Sequence, residues 1–260
     1  MAAGLAAAPT AHATCASFFG IGNSAFCTST PTSVAIAIGY NAWARAEGTF
    51  GTAIAIGDLS QATIVLGRFN LATAVGYQAA AGSDYDLSLS FAFGDGSFAS
   101  AAVQPGKKLR IGNIAIAFAP GQRNASAYSS GVGNIALNVF GGHSAAAAFG
   151  RGNTAFVAGA ENGSAYAMGT LVNATVVLSN NTLVHVEGTA SAGFGALGSG
   201  NTVKAVPGPL AIAGSIGQNN ATVTKAGPGI NINGVSLGGK KTPSGHPKGT
   251  SKGAGRSARP

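Results

Sequence analysis

Four short blocks within the first hundred residues restrict this chain to a small set of folds. They read Ser33-Val-Ala-Ile-Ala-Ile-Gly39, Thr52-Ala-Ile-Ala-Ile-Gly57, Leu71-Ala-Thr-Ala-Val-Gly76 and Leu89-Ser-Phe-Ala-Phe-Gly94, and their closing glycines step by 18, 19 and 18 residues. A fixed period of this length marks a repeat architecture, in which each unit buries its apolar face only against its neighbours. After an insertion around Gln104 to Arg110 the pattern returns in Asn113 to Ala119, Ile135 to Gly141 and Thr154 to Gly159. Gly141 to Gly159 is again a step of 18.

Within a block large and small residues alternate with period two, the pattern of a strand with two unlike faces. Ile36, Ile38, Ile54, Ile56, Phe91 and Phe93 fall on one face; Ala35, Ala37, Ala53, Ala55, Ser90 and Ala92 fall on the other. The large face is expected to fill a core and the small face to lie flat on the outside. A second, weaker strand follows in each unit, as in Asn41 to Ala46, Ser60 to Leu66, Gln78 to Ala81, Ser144 to Ala148 and Ser164 to Met168. Glycines near each half period supply the turns. Helices are the rival reading, but each interior glycine costs a helix about 1 kcal/mol relative to alanine.

The expected fold is therefore all-β, a parallel β-solenoid or β-roll with an 18–19-residue period. Residues 33–170 hold the regular repeats, about eight coils in all. Past Thr170 the register loosens through Asn180-Asn181 and Pro207-Gly-Pro209, so 171–238 reads as an irregular end and cap. Composition fits a thin-layered fold: 41 Gly and 52 Ala stand among 260 residues. Charged residues are only 8%, which excludes charge-driven disorder of the body. No strict Gly-X-Y period points to collagen. No run of 18 consecutive apolar residues is present, so no membrane-spanning helix is expected.

The formal charge of +8 belongs mainly to one end. Lys240, Lys241, Lys248, Lys252, Arg256 and Arg259 carry six positive charges with no acid among them, whereas residues 1–239 hold nine basic and seven acidic groups. Residues 239–260 have little to bury and read as a disordered basic tail. Such a tail either adheres to anionic glycans or other cell-envelope polymers by salt-sensitive attraction or is a solvated end without a partner. It lacks aromatic residues, so a specific nucleic-acid role is not expected.

The first thirteen residues, with an apolar run from Gly4 to Ala8 and Ala11-His12-Ala13 in small-x-small form, read as a truncated signal peptide; the alternative is an Ala-rich start without structure. Cys15 and Cys27 are the only cysteines, and in an exported chain they read as one disulfide within an N-terminal cap at 14–32. Two free thiols in a cytosolic chain are the alternative. A secreted or cell-surface location follows from the first reading.

The blocks Ser33 to Gly39 followed by Asn41-Ala42, and Thr52 to Gly57 followed by Ser60-Gln-Ala62, resemble head repeats of trimeric autotransporter adhesins. The resemblance implies a left-handed parallel β-roll, three chains packed side by side, and binding to host or matrix surfaces. It covers about half of the chain, and the family's coil is shorter. No binding residue is carried over from it.

No residue set is assigned catalysis, a metal or a cofactor. His12, His143, His185 and His246 are scattered, without a ligand spacing. Asp84, Asp86 and Asp95 are the only concentrated acids, and stacked coils would bring them together as oxygen ligands or as a carboxylate pair for glycoside chemistry; otherwise they are turn acids. Lys107, Lys108 and Arg110 in the insertion, with Arg123 and Arg151, form the one candidate patch for an anionic ligand, against a plain solvated loop. The leading expectation is an exported, non-enzymatic structural or interaction protein, adhesin-like and with the three-chain assembly that the resemblance implies. The alternative is a polysaccharide-acting enzyme or glycan-binding module on a parallel β-helix.

Overall fold

The structure, a computed structural model, describes residues 14–101, 111–121, 124–206 and 209–237. The expected leader, the insertion from Gln104 to Arg110 and the basic tail lie outside these residues. Two sheets face each other, one of 14 strands and one of 11, and the chain alternates between them. No helix is present among the described residues. Val34–Ile38 in the first sheet is followed by Trp43–Ala46 in the second, then Thr52–Ile56 in the first and Gln61–Ile64 in the second. This is a parallel β-solenoid.

Register follows the sequence period. Val34 pairs with Thr52, Thr52 with Leu71, Leu71 with Leu89, all in parallel. Leu89 pairs with Ile114, a longer step that accommodates the insertion. The ladder runs on without a break through Ala211–Ile216 and Gly229–Ile232. About ten coils result, two more than the clear sequence repeats account for, because the later strands keep their pairing while losing the Ala-Ile signature.

The core overturns the expected orientation of the strands. Ala35, Ala37, Ala53, Ala55, Ala72 and Ala74 are wholly buried, facing Ala44, Ala46 and Ala62 of the second sheet. Ile36, Ile38, Ile54 and Ile56 point outward. A coil of 18 or 19 residues spends about ten on two strands and turns sharply at both ends, which leaves a strip too narrow for two layers of large side chains. At the N-terminal end the separation is visible directly: Cys15 and Cys27 are disulfide-bonded across the two sheets with Cα atoms 5.6 Å apart, whereas ordinary stacked sheets lie about 10 Å apart. In one pair of coils valine enters the core opposite glycine. Val184 and Val186 of the second sheet face Gly193 and Gly195 of the first.

The periodic glycines serve the contact between coils. A Cβ at Gly39, Gly57 or Gly76 would lie 2.4, 2.4 or 2.6 Å from the carbonyl oxygen of the glycine one coil on, and all three have φ between +119° and +137°. Both conditions exclude a side chain. At the other corner a column of buried asparagines ties the coils together. Asn113, Asn134 and Asn153 each donate to a backbone carbonyl of the following coil, at Gly131, Gly150 and Gly169, with lengths of 2.8, 2.9 and 3.0 Å. Their side-chain oxygens accept from the backbone N–H of Asn134, Asn153 and Val172.

The first sheet ends in antiparallel strands on both edges. Thr14–Phe18 and Ile21–Gly22 cover Val34–Ile38, and Val235–Leu237 covers Gly229–Ile232. Short antiparallel closures of this kind occupy edge hydrogen bonds that would otherwise template pairing with another chain.

Candidate functional site

Inverting the strands places an apolar surface where a flat small-residue surface was expected. From Val34–Ile38 to Ile135–Val139 the six strands of the first sheet offer eighteen outward positions; sixteen hold large aliphatic or aromatic residues, and Thr52 and Thr73 hold the other two. Ile38 is 44% exposed, and Ile56 and Phe93 are each 39% exposed. Phe93 stacks on Phe118 with ring centroids 5.1 Å apart, and Phe140 meets Phe118 edge-on. No outward position of this sheet from Val34 to Ile216 carries a charge. The second sheet differs: Arg45, His185, Glu187 and Lys204 stand on its outer face.

The second sheet also carries a hollow of about 380 Å³ at its N-terminal end, lined by Phe26, Thr28, Trp43, Arg45 and Glu47 among others. Arg45 and Glu47 form an ion pair at its rim. Trp43, Arg45 and Glu47 alternate in sequence, so period two sets them on one face; that spacing, with the chain's single tryptophan, was the signal for this site, and sequence reasoning passed over it.

The three acids are not gathered. Asp84 and Asp86 occupy the turn before Leu89–Phe93 and Asp95 the turn after it, so a whole strand separates them, about 17 Å. Each carboxylate is engaged in holding a neighbouring coil. Asp84 Oδ1 accepts from Val65 N at 3.1 Å, Asp86 Oδ1 from Arg68 N at 2.8 Å, and Asp95 Oδ1 from Tyr77 N at 3.2 Å. Asp86 also pairs with the Arg68 guanidinium at 2.9 Å. That hydrogen bond holds the Asp86 carboxyl below its ordinary range, whereas burial raises that of Asp84 despite the Val65 N–H. Asp58 repeats the arrangement, accepting from Tyr40 N at 2.8 Å.

Among the described residues no three His, Cys, Asp or Glu side chains come together as a metal site. His143 sits in a turn with φ +48°, its Nδ1 3.3 Å from Asn124 Nδ2, and His185 lies on the outer face beside Tyr166 and Lys204. Of the basic candidates only Arg151 is described, exposed at the end of Ala145–Arg151; Lys107, Lys108, Arg110 and Arg123 lie outside the described residues. Among the described residues no helix is long and apolar enough to cross a membrane.

No family model, curated protein or solved structure matches the chain.

Proposed function

We propose that this chain is an exported, non-enzymatic interaction protein whose working surface is the outer face of its first sheet. The observation that carries the reading is an outer face uncharged from Val34 to Ile216 and large and apolar over the six strands from Val34–Ile38 to Ile135–Val139. Exposed apolar patches beyond a few hundred Å² on water-facing proteins mark contact sites. The engagement of Asp58, Asp84, Asp86 and Asp95 in turns supports a structural rather than chemical use of the acids. The Cys15–Cys27 bond supports an oxidising destination, since such bonds persist outside the cytosol. An adhesin-like role, holding a cell surface to another body, is the form of this function closest to the repeat pattern.

A photo-crosslinking residue at Phe93, introduced in the full chain on its producing cell, tests the proposal. Adducts are expected from Phe93 and not from Thr224 on the second sheet. Adducts from Thr224 alone, or from neither, contradict it.

The hollow at Trp43 favours a second reading, a glycan-binding module. An indole beside an Arg–Glu pair offers a stacking face and hydrogen-bonding groups in a space of ligand size. Because Trp43 is the only tryptophan, titrating its fluorescence with neutral and acidic oligosaccharides reads this site alone. Saturable change abolished by Arg45→Ala supports the module, and an unresponsive spectrum removes it.

A further inference from the structure

We infer that the apolar face is covered by a second copy of this chain, in a two-fold dimer whose solenoid axes run antiparallel. The inference rests on the reading of that face as the contact surface and names its partner.

Size comes first. Ten strands at about 4.8 Å spacing and five residues of width give a face of roughly 48 by 17 Å, some 800 Å². A stable interface buries about 800 Å² on each partner, so one copy of this face satisfies one copy of another. The segments outside the described residues are poor in large apolar side chains, and 102–110 hold only Val103 and Leu109. Residues 238–260 contain no large aliphatic or aromatic side chain, and residues 1–13 contain only Met1 and Leu5. An anionic lipid surface finds no basic group on this face, because no outward position of the sheet from Val34 to Ile216 is charged.

Spacing selects a copy over an unrelated partner. Side chains of the face stand in rows repeating at the strand spacing, and only a partner with the same spacing keeps its rows in the furrows along the full length. A second solenoid has it by construction, as identical stacked strands do in interdigitating sheet interfaces.

Orientation follows from a gradient in side-chain size. The six strands from Val34–Ile38 to Ile135–Val139 are bulky, whereas the four from Thr154–Ala158 to Ala211–Ile216 turn outward Thr154, Ala158, Asn173, Ala192, Ala196 and Gly214 among their twelve positions. With axes parallel, bulky rows would meet bulky rows and leave voids between small ones. With axes antiparallel, the strand of Ile54 meets the strand of Phe194, and large flanking rows fall on small ones. A two-fold axis along the strand direction produces this self-complementary contact. Three chains related by an axis along the solenoid would keep like coils level and lose the match.

The test uses the full chain with its native disulfide intact. Light scattering after size exclusion is expected to give twice the 25.2 kDa chain mass. Two variants, Ile54→Cys and Phe194→Cys, are then treated with a bismaleimide of about 10 Å reach, after circular dichroism confirms that each retains strand content. In the antiparallel dimer two Ile54 positions lie about 34 Å apart, seven strand spacings, and each approaches Phe194 of the other copy. Crosslinked dimer is expected when the two variants are mixed and absent from either alone. Crosslinking of Ile54→Cys by itself, a trimer mass, or a monomer mass overturns the inference. A monomer that still forms adducts from Phe93 on the cell leaves the contact surface standing and removes only the self-pairing.

Discussion

Val186 and Gly193 share one space across the core: a Cβ at Gly193 would lie 2.5 Å from Cγ2 of Val186. The pair shows how the interior is filled, with a total width held constant while the two sheets exchange bulk between them. Gly193→Ala is therefore expected to destabilise the fold by about 1–3 kcal/mol through overpacking. Val186→Ala in the same chain restores much of the loss. Urea unfolding of the two single variants and the double variant measures the coupling, and simple additivity would contradict shared space.

The asparagine column makes a second expectation. Asn134→Ala removes the acceptor of Asn153 N–H at 3.0 Å and the donor to Gly150 O at 2.9 Å, in a wholly buried position. Leaving two buried backbone groups unpaired costs about 3 kcal/mol. Gln61→Ala, at an exposed position of a regular strand of the second sheet, is expected to shift the urea midpoint little.

Asp84 and Asp86 respond to pH with opposite signs. Burial raises the Asp84 carboxyl above its ordinary 3.8, so its favourable contribution is complete below that value and disappears as pH rises through the raised one. Asp84→Asn keeps an oxygen for Val65 N–H and is expected to raise the melting temperature at pH 7, on the order of 1 °C. The gain should vanish at pH 3. Asp86 is held low by Arg68, so its contribution is present above 3.8 and is lost as pH falls through the lowered value. Asp86→Asn should lower the melting temperature at pH 7 and match the parent chain in strong acid. Equal responses of the two variants would contradict these assignments.

Removing the disulfide is expected to act locally. Cys15 and Cys27 are twelve residues apart, and a closed loop of that size stabilises by about 3 kcal/mol. Because each coil contacts only its neighbours, Cys15→Ser with Cys27→Ser should speed amide exchange over Thr14–Phe18 and Val34–Ile38 while leaving Ile135–Val139 unchanged. Uniform acceleration along the chain would show instead that the solenoid unfolds as one unit.

The repeat was legible because its glycines recur at a backbone contact that no side chain fits, so Gly39, Gly57, Gly76 and Gly94 mark successive coils directly. The number of coils was less so. Strands such as Asn173–Val177 and Ala192–Ala196 retain register through backbone pairing, which leaves no sequence period once Ala and Ile give way to Val, Gly and Phe. The inward face was misassigned for a physical reason: alternation shows that Ile54 and Ala55 differ in face but carries no sign, and the usual choice of the larger residue as core holds only where sheets stand a full layer apart. The acids read as a cluster because closeness in sequence hides the strand Leu89–Phe93 that separates Asp86 from Asp95. The hollow at Trp43 was missed although Trp43, Arg45 and Glu47 already shared a face by parity.

A lysine scan through Thr52–Ile56 tests the inverted core most directly, read by circular dichroism and thermal unfolding. Ile54→Lys and Ile56→Lys are expected to keep the strand spectrum and a cooperative transition, whereas Ala53→Lys and Ala55→Lys lose both, because a lysine between inner coils has no open end to reach, unlike the buried Lys225 of the edge strand Thr222–Ala226, whose Nζ donates to Ala226 O at 3.3 Å. The reverse parity, with lysine accepted at 53 and 55 and rejected at 54 and 56, would put the large residues inside and contradict the account.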